Sequence, residues 1–109
     1  HLNTMEKFLL FIDDADDAAM FPASRLQSVT CASGGVVILK FTPGSLGDGQ
    51  ADSVDIATLA ITADKEKEVM TAIGKEIALG KDSVIVVCDD VASSFLNANI
   101  TSCTITLDA

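Results

Sequence analysis

Tryptophan and tyrosine are absent from this chain, and its single histidine is the first residue. Without Trp and Tyr there is little for base or sugar stacking and little for aromatic interface anchors. With His1 as the only imidazole, Ser-His, Cys-His and His-metal catalysis are not expected, and neither hydrolytic nor zinc chemistry is expected. Positive charge is scarce: 7 Lys and Arg stand against 16 Asp and Glu, for a formal net charge of −9. Such a surface repels phosphate backbones, and no Lys/Arg cluster offsets it locally, so neither nucleic acid nor an anionic membrane is expected as a partner. A cation or a basic protein surface suits it better. Long apolar runs are missing as well. Near the N-terminus the longest is Phe8 to Ile12, far short of a signal core or a membrane span.

Cysteine is sparse. Cys31, Cys88 and Cys103 are odd in number, widely spaced and free of any C-x-x-C pattern. Each falls in an apolar or alternating stretch, so all three are expected as buried free thiols, as in a reducing cytosol.

What remains is an aliphatic chain of 109 residues, 49% hydrophobic, long enough for one core and too short for two. One domain is expected over 5–109. His1 to Thr4 precede a candidate initiator Met5 and read as an N-terminal extension or an expression remnant. Lys7 to Ile12 reads as a strand that is apolar on both faces, hence covered. Arg25 to Ala32 reads as a half-exposed strand, reversed by Ser33-Gly34-Gly35 into Val36 to Phe41, a hairpin. Pro43 to Ser53 is the one long Gly- and Asp-rich loop. In Val54 to Thr62 the apolar phase slips from even positions (Val54, Ile56) to odd ones (Leu59, Ile61), which predicts a change of face at a bulge.

Ala63 to Leu79 has helical periodicity, with Val69, Ile73 and Ile77 recurring every four residues and Met70 widening the stripe. Thr62 or Asp64 is the expected N-cap and Gly80 the expected left-handed exit. Val84 to Cys88 is apolar throughout and reads as central in a sheet. Val91 to Asn97 is expected to form a helical turn, and Thr101 to Leu107 an alternating antiparallel strand. With one long helix there are too few crossovers for a doubly wound parallel sheet. The expected fold is therefore α+β: a curled, mostly antiparallel sheet of five to six strands, able to close into a small Sm-like open barrel, packed with one long helix.

The chemical candidates are acidic. "FLLFIDDADDAAMF" (8–21) and its echo "VIVVCDDVASSFL" (84–96) each run from an apolar strand through paired aspartates to a phenylalanine. Asp13, Asp14, Asp16 and Asp17, with Asp89 and Asp90, are the candidate ligands for a weak divalent-cation site. The alternative is a solvated turn in which Asp caps nearby amides. A receiver-like phosphoacceptor needs a third carboxylate after another buried strand, plus a Lys and a Thr or Ser at later strand ends. Asp52, Asp55 and Lys81 all precede their strands and do not supply these. Asp14-Ala15-Asp16 has phosphatase-like spacing but lacks the following Thr or Ser. Loops starting at Asp13 and Asp48 both fail the calcium-loop pattern, having Ala18 and Ser53 where Gly belongs. "GSLGDG" lacks the Lys-Ser/Thr of a phosphate loop. No catalytic residue and no cofactor is expected.

The stretch Phe21-Pro22-Ala23-Ser24-Arg25-Leu26, after the acidic turn, resembles a "YPASRL"-like segment in small uncharacterised proteins of marine bacteriophages and marine metagenomes. Leu39-Lys40-Phe41, a helix over Lys65 to Ala78 and a strand ending in Asp over Val84 to Asp89 extend that resemblance. It implies phage or environmental origin and no assigned activity. On this basis the expected function is that of a non-enzymatic structural or assembly protein. It would act as a homo-oligomer through pairing edge strands, with other particle proteins as further partners, in the host cytosol or the virion. The alternative is a small-ligand or divalent-cation binding module using Asp13 to Asp17. A receiver-like phosphoacceptor comes last.

Overall fold

The Ser33-Gly34-Gly35 reversal forms as predicted, with Gly35 alone in the left-handed region (φ 79°) that a side chain would strain. In the structure, a computed structural model, residues 6–31, 33–42 and 54–107 are described. The expectations for His1 to Thr4, Met5, Ala32 and the 43–53 loop, including its Asp48 and Asp52, lie outside the described residues.

Among the described residues, eight strands and one α-helix follow in chain order: β1 (Phe8–Asp14), β2 (Asp17–Pro22), a 3-10 turn (Ala23–Arg25), β3 (Leu26–Thr30), β4 (Val36–Phe41), β5 (Asp55–Ile61), α1 (Glu66–Leu79), β6 (Val84–Asp89), β7 (Ser94–Phe95) and β8 (Ile100–Thr106). They make two four-stranded sheets, β2-β1-β6-β7 and β3-β4-β5-β8. The α+β class and the mostly antiparallel pairing are as expected. The single five- to six-stranded sheet is not, and the two sheets do not close into a barrel. One pair, β1 with β6, is parallel, with Phe8 opposite Val84 and Ile12 opposite Asp89.

The core is aliphatic with an aromatic centre that ties the sheets together. Phe21 from the first sheet stacks on Phe41 from the second at 4.3 Å between centroids, and Phe11 meets Phe41 edge-on at 6.1 Å. Around them Leu9, Val37, Leu39, Leu59, Ile85 and Val87 are buried. The helix adds Val69 and Ile73, with Met70 and Ile77 partly buried, so the predicted stripe is the packed face. It lies against β4 of one sheet and β6 of the other.

Several local expectations change. β5 does not switch faces: Ala57, Leu59 and Ile61 are all buried, the inward set having begun at Ala57, and the register with β4 runs unbroken. The irregularity is instead in its pairing with β8, between Ala60 and Ile61. The helix starts at Glu66, after Lys65 and without a side-chain cap. Asp64 sits in the turn at φ 69°, where Asp tolerates the left-handed region. Gly80 is extended (φ −69°) and not left-handed. Glycine is needed there because a Cβ would come within 2.6 Å of the Glu76 carbonyl oxygen. The Gly80 N–H closes the helix onto Glu76 O, and Lys7 Nζ adds a donor to Glu76 O at 3.2 Å and to Gly80 O. Residues 91–93 form a turn into the two-residue strand β7 in place of a helical turn.

At the other end of the helix, Glu66 Oε2 accepts the Gly35 N–H at 2.6 Å, pinning the β3–β4 turn to α1. That bond, then its own amide, holds the Glu66 carboxyl below its ordinary value of 4.5. A depressed carboxyl stabilises the fold above its unfolded value and ceases to do so as pH falls through the folded one. The melting-temperature gap between the parent and Glu66→Gln is therefore expected to be widest near neutrality and to close as pH falls below 4.5. A gap independent of pH would contradict the assignment.

Candidate functional site

The two acidic echoes meet because of the one parallel pair. β1 and β6 run side by side in the same direction, so Asp13-Asp14 and Asp89-Asp90 leave the sheet at the same end. The carboxylates after the second buried strand, Asp89 and Asp90 at the end of β6, are thus brought beside those after β1, a neighbourhood that the sequence did not reveal. The Asp90 N–H donates to Ile12 O at 2.9 Å and locks the two exits together.

The six candidate acids divide by what they touch. Asp14 Oδ1 accepts the Ala15 N–H at 2.7 Å, and Asp14 pairs with Asp17 across the tight β1–β2 turn. Asp89 Oδ1 accepts the Val91 and Ala92 N–H groups, both at 3.0 Å, and so shapes the turn after β6. Asp16 is exposed in the hairpin turn. These three fit the solvated-turn reading. Among the described residues, Asp13 has no turn amide as partner: Asp17, Asp90 and Asp14 all act on its carboxyl. Partial desolvation, then Asp17 and Asp90, hold the Asp13 carboxyl above its ordinary value of 3.8.

Asp90 also reaches the second sheet. Its Oδ2 accepts the N–H of Cys103 on β8 at 3.2 Å, and its Oδ1 accepts the Cys88 thiol at 3.5 Å. The Cys103 thiol points to Ile12 O at 3.6 Å. Cys88 Sγ, Cys103 Sγ and an Asp90 oxygen all lie within 4.8 Å of one another. Both cysteines are buried free thiols, as expected, whereas Cys31 is exposed, because it lies past the end of β3 beside the turn. Burial pushes both buried thiols up and keeps them protonated; for Cys88 the contact with Cys103 adds to this. Neutral thiols are poor nucleophiles but remain competent metal ligands once a metal displaces the proton.

The pairing of these cysteines escaped the sequence reading. Cys88 lies two residues before Asp90, and Cys103 stands on the apolar face of an alternating strand. The missing information was that β8 passes beside the β1–β6 exit. No known protein family, curated protein or solved structure matches the chain. Among the described residues, no helix is long and apolar enough to cross a membrane.

Removing the Asp90 carboxylate leaves the amide of buried Cys103 without its acceptor. Asp90→Ala is expected to cost about 1–3 kcal/mol in chemical denaturation. Asp90→Asn, which keeps an acceptor oxygen, is expected to recover most of it. Equal stabilities for the two variants would show that the amide bond contributes nothing.

Proposed function

We propose that this chain is a non-catalytic, divalent-cation binding module whose site is the acidic corner where β1, β6 and β8 meet. One observation carries the reading: the parallel β1–β6 pair sets Asp13 and Asp90 at the same end of one sheet. Among the described residues, every charged neighbour acting on Asp13 is another carboxylate: Asp17, Asp90 and Asp14. A bound cation relieves that crowding. Titration of the protein with Mg²⁺, Ca²⁺, Mn²⁺ and Zn²⁺ is expected to give, for at least one ion, saturable heat and a raised melting temperature. Asp13→Asn should weaken both responses. No heat and no shift from any of the four ions removes the proposal.

A second reading, self-association as a structural or assembly protein of phage or environmental origin, is favoured by the edge strand β3. Leu26–Thr30 pairs with β4 on one side and carries neither charge nor proline to block its other edge. A strand from another copy could pair there, as particle components acting as homo-oligomers require. Light scattering at high concentration is expected to give a mass of two or more chains. A strict monomer sinks this reading.

A further inference from the structure

The geometry points to a thiophilic divalent ion of the zinc class, held by Cys88 Sγ, Cys103 Sγ and Asp90 Oδ1, with a water as fourth ligand. This inference rests on the cation-binding reading above and names the ion class that reading leaves open.

The distances carry the first part of the argument. In a tetrahedral site with Zn–S near 2.3 Å and Zn–O near 2.0–2.2 Å, neighbouring ligand atoms stand about 3.8 Å (S···S) and about 3.6 Å (S···O) apart. Here Cys88 Sγ is 3.5 Å from Asp90 Oδ1, and all three ligand atoms fall within 4.8 Å of one another. One edge of such a tetrahedron, from Cys88 Sγ to Asp90 Oδ1, already has its length.

The division of labour on Asp90 carries the second part. Oδ2 is engaged by the Cys103 amide at 3.2 Å, which orients the carboxylate, while Oδ1 has the Cys88 thiol as its partner. A thiol is a weak donor, and replacing its proton with a metal costs Asp90 none of its backbone bond. That amide then acts as an outer partner fixing a ligating carboxylate. Asp13 completes the electrostatics, since its charge acts on both Asp90 and Cys103.

Donor chemistry decides the ion. Calcium takes six to eight oxygens, and magnesium demands a near-octahedral oxygen shell. Two sulfurs and a carboxylate select zinc, cadmium or cobalt. Binding is balanced without any redox partner: the ion plus two thiols gives a bis-thiolate complex and two protons released to solvent. The positive ion replaces those protons in a corner already surrounded by carboxylates.

The test uses the full chain with Cys31→Ser, to remove the exposed thiol, under a non-thiol reductant. Cd²⁺ is the first probe and Zn²⁺ the competitor. The expected result is one Cd²⁺ per chain with thiolate-to-metal charge-transfer absorption of two thiolates, displaced by Zn²⁺ and unmoved by excess Mg²⁺ or Ca²⁺. Cys88→Ser and Cys103→Ser should each lose the two-thiolate band. Asp90→Asn, which keeps the amide acceptor, should bind more weakly by at least about tenfold. Where a serine variant does not fold, the band intensity of the parent and the Asp90→Asn affinity decide. A one-thiolate band, a two-thiolate band that survives either serine variant, or an Asp90→Asn protein that binds as tightly as its parent overturns the assignment. Binding of Mg²⁺ or Ca²⁺ with no charge-transfer band overturns the thiolate site alone and leaves the cation-binding reading standing. No binding of any ion removes both.

Discussion

Asp90 is the joint on which the two sheets turn. Its main chain is tied to Ile12 of β1, its carboxylate takes the Cys103 amide of β8, and its other oxygen meets the Cys88 thiol of β6. A β-strand that ends one sheet beside another ordinarily leaves main-chain donors facing a neighbour that cannot pair with them. Here a side-chain carboxylate makes the connection that a ladder would make elsewhere. It does so where the sheets come closest, β8 passing near β1, β6 and β2. The aromatic stack of Phe21 on Phe41 performs the apolar version of the same task deeper in the core. The polar joint is directional, so it sets how β8 lies against the strand exits, while the apolar one supplies area.

That joint explains why charge accumulates at one corner. Two acidic strand exits are tolerable separately, because each can face water and cap its own turn, as Asp14 and Asp89 do. Parallel pairing removes the separation. It places Asp90 among the groups acting on Asp13, whose carboxyl is raised first by partial desolvation, then by Asp17 across the hairpin turn and by Asp90. A fold with a formal charge of −9 had many alternatives to crowding these groups. The crowding is a cost when the corner is empty of counter-charge and an asset when a cation is present, which is the asymmetry that a binding site requires.

Much of this was legible in residues with strong local signals. The Ser33-Gly34-Gly35 reversal, the four-residue recurrence of Val69, Ile73 and Ile77, and the unbroken apolar run of β6 all place their elements correctly. β2 was hidden because Asp17–Pro22 lacks the β-branched residues that mark a strand and forms one only by pairing with β1. β7 is two residues long and has no periodicity to detect. The end of α1 misled for another reason: a glycine after a helix suggests a left-handed cap, but Gly80 is extended, its N–H bonds Glu76 O and Lys7 reaches in to Glu76 O and Gly80 O. For the site, Asp13 and Asp90 could be named from their position at strand exits. Their separation from Asp14 and Asp89, which serve the turns, could not, because it depends on which amides lie within reach. The thiols were read as inert core, and by burial they are; their convergence comes from the crossing of β8, a tertiary fact with no local trace.

In the proposed site the structural role of the corner and ion binding would reinforce each other through geometry. Cys88 and Asp90 flank the end of β6 in one sheet, and Cys103 lies on β8 in the other. An ion held by all three is bonded to both sheets at once. Its binding free energy is then free energy of sheet docking, since the ligand set exists only when the sheets are docked. In a chain of 109 residues with no aromatic larger than phenylalanine, such a staple adds to a core of modest depth. The same logic makes the Asp90–Cys103 amide bond important without metal: it holds the sheets in the arrangement that brings the thiols together, and so preorganises the ligands before any ion arrives.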